Sequence, residues 1–490
     1  MSARRHRGAC SPASTTERNI FSHSFDRFAL CAHSLFIDRD HHICRSPTEG
    51  DAVGKLQVGV RDFAIMPLCS EARTDIPFMR MHRCISWLGP WIDEEMRTVV
   101  RVLVSTTGGV GHILPVIPLA LELRRQGHEV IWATAQGSCS VVERVGIATS
   151  PAGLMPAERA QRFSQNSPNA FAVPPRERRP VAFAGLFATT AGPVMMEALL
   201  PLFEEFKPDL VVHETSEHAS SPIATWKDIP NVTVAFSGEL PGPVLAAGVV
   251  AAAPLWSRFG LDVPPDLGLY THAYLHPFAL PLGQRPLGST IHDMQPCGVA
   301  GPSSDLPDWL ESIGTERPFV YATFGTENGP QGPWSGPWRA IIGALASVDV
   351  DAVVTVGRSV DLDPLRAMVA ELTPGRIRIE SYIPQAPLME RAAVVISHAG
   401  AGTMLAAGVA GVPQIAIPVG ADQFENTDAF VGAGVAVAIE DDEVDPTTIA
   451  DQLRLLLEDG ALRERSGVLA RAFAEMPSPE SIANRLTELV

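Results

Sequence analysis

Two stretches of this 490-residue chain hold residues of the types and order that group transfer needs. The first is Ser105-Thr106-Thr107-Gly108-Gly109-Val110-Gly111-His112, a Gly-rich turn leading from an apolar run into a helical pattern. Such a turn invites a dinucleotide, but its spacing is not G-x-G-x-x-G. Ala133, Thr134, Ala135 and Gln136 also stand where a ribose-binding acid would close the next strand. What remains is an imidazole at a helix start, where the dipole favours a neutral ring able to take a proton. His112 is therefore a general base or a cap and packing residue, and the residues leave both open.

The second stretch is Ser397-His398-Ala399-Gly400-Ala401-Gly402-Thr403, again a strand end and Gly-rich turn entering a helix. Glycines let a ligand approach the backbone, and the first N–H groups of a helix meet phosphate without a lysine. His398 and the Thr403 hydroxyl add donors; a tight turn without a ligand is the plain alternative. Downstream, Asp422-Gln423-Phe424-Glu425-Asn426 follows another apolar run. An Asp–Gln pair there suits sugar hydroxyls, or merely caps a helix.

Other chemistries lack their residues. The only lysines are Lys55, Lys207 and Lys227, and none sits in a P-loop. In His213-Glu214-Thr215-Ser216-Glu217-His218 the histidines match neither H-E-x-x-H nor H-x-x-E-H. Residues 1–95 hold five of the seven cysteines without a CxxC pair, so no metal site is expected.

These residues need strand ends and helix starts to hold them. From Met96 the chain alternates strands and helices. Strands are expected at 99–104, 129–133, 209–213 and 231–236, with a helix over 113–126. After a Pro/Gly/Ser linker at 295–307 the alternation restarts. Strands are expected at 319–324, 352–356, 377–383, 394–397 and 414–418, and a helical tail from Pro446 to Val490. This is an α/β protein of two Rossmann-like, doubly wound domains, 96–300 and 301–490, with a cleft between them. Residues 1–95 lack periodicity and read as a disordered extension or an over-called start.

Composition narrows the partners. Against 38 Lys plus Arg stand 55 Asp plus Glu, a net charge of −17, which argues against nucleic acid and anionic membranes. No contiguous apolar run reaches the ~20 residues of a membrane span. Seven cysteines suggest reduced thiols, and a cytoplasmic protein is expected.

Taken together, Ile383-Pro384-Gln385, His398 to Thr403, Gly411-Val412-Pro413-Gln414 and Asp422-Gln423-Phe424 resemble the GT-B glycosyltransferases of the UDP-glycosyltransferase superfamily. The closest likeness is to the bacterial branch that decorates macrolides, enediynes and related natural products. The resemblance covers about 96–490 and implies an inverting, metal-independent transferase without a cofactor. It would move a (deoxy)sugar from a TDP or UDP donor to a hydroxyl of a lipophilic acceptor. His112 would be the base and Glu214 its orienting carboxylate, where many members carry Asp. Pro384 and Gln385 would border the nucleobase. His398, Gly400, Gly402 and Thr403 would hold the diphosphate, with Gly325 and Thr326 close by, and Asp422 and Gln423 would hold the sugar. Ile383 stands where plant members usually stack Trp on uracil, which favours the antibiotic branch and its TDP-deoxysugars. The alternatives are another GT-B enzyme, such as a nucleotide-sugar epimerase or cell-wall transferase, and a catalytically silent binding protein.

Overall fold

A computed structural model describes residues 34–37, 43–45 and 64–67 and, from 99 to 490, all but 171, 280–281, 283–289, 297–306, 326–336, 358–359 and 441–442. The chain divides into two units, Met1–Thr98 and Val99–Val490. In the first, strands β1 (Ser34–Ile37), β2 (Ile43–Arg45) and β3 (Ala64–Pro67) pair antiparallel in the order β2-β1-β3. Their sequence predicts no element, because runs this short are too brief for alternation to register. The rest of 1–95, and with it the expected disordered extension, lies outside the described residues, as does most of the expected linker at 295–307.

Val99–Val490 contains two parallel sheets. The first comprises β4 (Arg101–Ser105), β5 (Glu129–Thr134), β6 (Ala148–Pro151), β7 (Leu210–Glu214), β8 (Asn231–Val234), β9 (Ala273–His276) and β10 (Ile291–Asp293). Their order is β10-β9-β8-β7-β4-β5-β6. The second comprises β11 (Phe319–Thr323), β12 (Asp351–Thr355), β13 (Ile377–Glu380), β14 (Val394–Ser397), β15 (Gln414–Ala416) and β16 (Ala436–Ala438), in the order β13-β12-β11-β14-β15-β16. Unbroken apolar strands such as Val102-Leu103-Val104 are buried on both faces, as a helix-covered parallel sheet requires.

In each sheet the chain winds outward from its first strand and then returns to that strand's other side. The reversals fall between β4 and β7 and between β11 and β14. Crevices open at the carboxyl ends of such strand pairs, and ligands bind there. Ser105 pairs with His213 in one sheet and Thr323 with Ser397 in the other, so each crevice is floored by level strand ends.

Four departures from the expected elements matter. The single helix over 113–126 is two helices, Val110–Ile113 and Ile117–Arg125. Pro115 and Pro118 each lack an N–H, so two bonds to the preceding turn are missing and the helix breaks. Strands β6, β9, β10 and β16, three or four residues each, are not among the expected elements. The last helix, Pro479–Leu486, leaves the second half and buries Ile482, Ala483 and Leu486 in the first half's core. Lastly, charges interrupt the apolar run at 179–206 but not its helix. Arg179–Phe206 is, among the described residues, the one helix long and apolar enough to span a membrane. Here it buries Phe183, Met195, Met196, Leu199 and Phe203 in the first half's core.

Candidate active site

The first crevice holds His112 and Glu214. Glu214 ends β7 and is fully buried, while His112 lies in the one-turn helix just after β4. Its Nδ1 is 3.3 Å from Glu214 Oε1, an ion-pair distance rather than a well-aligned hydrogen bond. Such bonds commonly tighten only when substrate is bound. Glu214 is held from three further directions. Thr107 donates to Oε1 from its backbone N–H at 3.2 Å and its hydroxyl at 2.8 Å, and the Ser216 N–H donates to Oε2.

Burial would raise the Glu214 carboxyl. The His112 ring and the Ser216 and Thr107 donors outweigh it and hold the group at about 2. An ionised Glu214 facing Nδ1 fixes the proton there and leaves Nε2 as the acceptor. The helix that carries His112 is a single turn, so its dipole is small.

Around the imidazole the wall is aromatic. Phe187 and Phe236 meet the His112 ring edge-on, with centroids at 5.4 and 4.8 Å, and both are half-buried. The Arg159 guanidinium covers the Phe187 ring at 4.4 Å. Arg159 lies on the helix Pro156–Asn166 and Phe187 on the helical run Phe183–Ala191. Pro156 starts its helix there instead of breaking one.

The second crevice gathers the other segments. His398 follows β14, and Phe324, just past β11, stacks on its ring at 5.8 Å. A Cβ on Gly400 would lie 2.5 Å from His398 Nε2, and one on Gly325, at φ 82°, 3.1 Å from Cε1. Both positions require glycine for the ring to sit where it does. Gly400 caps the helix Ala401–Ala410, whose first turn carries exposed Gly402 and buried Thr403. Gln385 joins this turn, donating from Nε2 to Gly402 O at 3.4 Å and accepting from the Thr403 hydroxyl at 3.5 Å. Pro384 caps the short helix that Gln385 begins. Thr326 lies outside the described residues.

Burial pushes His398 down to about 4, against the upward pull of the Asp422 charge and a hydrogen bond to the Thr323 backbone. At neutral pH it is therefore an uncharged donor. Asp422 precedes the helix Gln423–Gly432, and its Oδ2 accepts from Asn426 at 3.0 Å. Gln423 turns inward, and its Oε1 accepts from the backbone N–H groups of Val419 and Gly420 at 2.9 and 3.0 Å. Only its amide NH2 is left for a ligand. Ala399 and Ala421, at φ 60° and 53°, hold left-handed backbone beside the two motifs. Such strain gathers at ligand sites. The structure thus brings together every predicted site residue it describes, in two groups at the two strand reversals. Among the described residues no three His, Cys, Asp or Glu side chains cluster as a metal site.

Sequence reasoning missed Thr107, Phe187, Phe236 and Asn426. Thr107 and Asn426 stand inside motifs already singled out. The phenylalanines carry no local signal, since only the fold brings them to His112.

The buried histidines also make stability depend on pH. Burial holds His218 and His398 near 4, below the ordinary 6.5, so each gains a proton on unfolding between those values. Their contribution to stability is full above about pH 6.5 and is lost as the pH drops toward 4. A melting temperature that declines over this window, less steeply in His218→Phe, is the expected result; a flat profile contradicts it.

Comparison with known proteins gives a consistent picture. Residues 339–489 match the family described as Erythromycin biosynthesis protein CIII-like, C-terminal domain. The L-demethylnoviosyl transferase of Streptomyces niveus is 30% identical over 393 residues, 79% of this chain and 97% of that protein. The glycosyltransferase SnogD from Streptomyces nogalater superposes with a TM-score of 0.62 at 27% identity, covering 80% of this chain and all of that one. SsfS6 from Streptomyces sp. SF2575, solved with thymidine diphosphate, gives a TM-score of 0.62 at 23% identity, covering 80% of this chain and 100% of that one.

Proposed function

The chain belongs to the antibiotic-pathway GT-B glycosyltransferases, and we propose that it transfers a deoxysugar from a TDP donor to a hydroxyl of a lipophilic natural product with inversion at C1. The observation that carries this reading is the His112–Glu214 pair at 3.3 Å, set in an aromatic wall. A transferase needs a base where the acceptor lies.

The acceptor rests on Phe187 and Phe236 with its hydroxyl at His112 Nε2. As that oxygen bonds to C1, Nε2 takes the proton, and Glu214 steadies the positive ring through Nδ1. The C1–O bond to the diphosphate breaks with its electron pair going to the departing oxygen. The N–H groups opening Ala401–Ala410, the Thr403 hydroxyl and neutral His398 meet that charge. Asp422 and the Gln423 amide hold the sugar, and Pro384 and Gln385 border the base. These donors supply the charge stabilisation that a divalent ion would otherwise give, and no step calls on a cofactor. TDP is favoured by Ile383 in place of a stacking Trp and by the thymidine diphosphate complex of SsfS6. Such an enzyme would work in the cytoplasm, where it would meet soluble nucleotide sugars.

Incubation with TDP- and UDP-sugars and a panel of aglycones, read by mass shift, tests the proposal. Sugar addition from a TDP donor supports it; no transfer and no donor hydrolysis across the panel defeats it. A protein beginning at Met96, where the alternation of strands and helices starts, is expected to keep full activity and solubility. Insoluble expression of that shortened protein would show that residues 1–95 contribute to folding.

A further inference from the structure

The helix Gln423–Gly432 belongs to the second half but is gripped by the first. Arg176 donates to Asp428 Oδ2 at 3.0 Å and covers the Phe424 ring at 4.8 Å, and Arg179 pairs with Glu425 at 2.8 Å. At the centre of that contact is Asn426, 1% exposed. Its Nδ2 donates to the Ala399 carbonyl at 3.1 Å and to Asp422 Oδ2 at 3.0 Å. Its Oδ1 accepts from the Ser237 hydroxyl at 3.2 Å. One amide thus spans the loop after His398, the carboxylate assigned to the sugar, and the segment after β8. Ser237 directly follows Phe236, whose ring touches His112.

We propose that Asn426 is a positioning residue that fixes the Asp422 carboxylate and links it to the acceptor side of the cleft. The inference rests on the donor reading of Asp422. Both amide hydrogens are used, one on each of these acceptors. Held at Oδ2, the carboxylate is restrained and its Oδ1 is left to accept from a sugar hydroxyl. The carbonyl of Ala399, whose backbone is left-handed, is tied by the same group. The bond to Ser237 makes this arrangement complete only when the two halves meet. Sugar orientation is thereby coupled to closure over the acceptor, while the nucleotide contacts at Gln385 and Thr403 are separate from it.

The test is a double-mutant cycle in the full chain with Asn426→Ala, Asp422→Ala and the pair, measuring transfer, free TDP affinity and melting temperature. Asn426→Ala is expected to lower kcat about 10- to 100-fold, the effect of losing a buried hydrogen bond to a charged group, with TDP affinity changed by less than about threefold. If Asn426 acts through Asp422, the double variant is no slower than Asp422→Ala alone. Asn426→Ser, which keeps one donor, recovers part of the rate, and it carries the cycle if the alanine variant does not fold. Losses that multiply in the cycle, or TDP affinity falling in step with kcat, overturn the proposal. A wild-type rate for Asp422→Ala alone overturns the donor reading, and this inference with it.

Discussion

Replacing His112 by alanine is expected to lower transfer to an unactivated alcohol by about 10²–10⁴-fold, the usual contribution of a positioned general base. An alcohol is too weak an acid to attack C1 at neutral pH unless something takes its proton as the bond forms. His112 has the surroundings of such a base, with a buried, ionised Glu214 facing Nδ1 and aromatic rings on two sides. The His398 group belongs to the other sheet, so TDP binding should survive the change. Glu214→Gln should cost less. Its amide oxygen can still accept from Nδ1, but the charge that steadies the protonated ring is gone. Near-normal turnover of His112→Ala with an ordinary alcohol acceptor would remove the base from the account.

Asp422→Ala should abolish most turnover while sparing the nucleotide. A hydrogen bond to a charged group contributes about 1.5–3 kcal/mol, or roughly 10–150-fold in rate, for each sugar hydroxyl that loses its acceptor. The groups proposed to hold the diphosphate stand on Ala401–Ala410 and at His398, on separate backbone, so titration with TDP should give nearly the wild-type affinity. If the variant loses TDP affinity and still transfers sugar, Asp422 serves the nucleotide and the donor assignment is wrong.

Much of this architecture was legible in the residues because buried parallel strands are written as unbroken apolar runs. Val394–Ser397 and the core of β4 and β11 stand out for that reason. The Gly-rich turn at His398 was equally plain. Its Gly400 is fixed by close approach to the imidazole, a local demand that leaves a local trace. Short strands at the sheet margins, β10 and β16, bury too little to impose a pattern. The break between Ile113 and Ile117 is not legible in the sequence, because a proline can either open a helix or end one and the outcome depends on Pro115 and Pro118 acting together. The aromatic wall around His112 was illegible for a different reason. Phe187 and Phe236 are far apart in sequence and become neighbours of His112 only once β4, β7 and β8 pair. Asn426 stood in view inside a motif, but its role depends on Ser237 from the other half of the cleft.

The proposed reaction is a single displacement at C1, driven by a base on the acceptor side. The most direct measurement is the anomeric configuration of the glycoside made by the wild-type protein from a donor of known configuration, read by NMR of the isolated product. The His112–Glu214 arrangement predicts inversion. Glu214 is held by Thr107, Ser216 and His112, so it is not free to attack the sugar itself. A product that retains the donor's configuration would require a covalent intermediate or a second displacement, and would contradict the account.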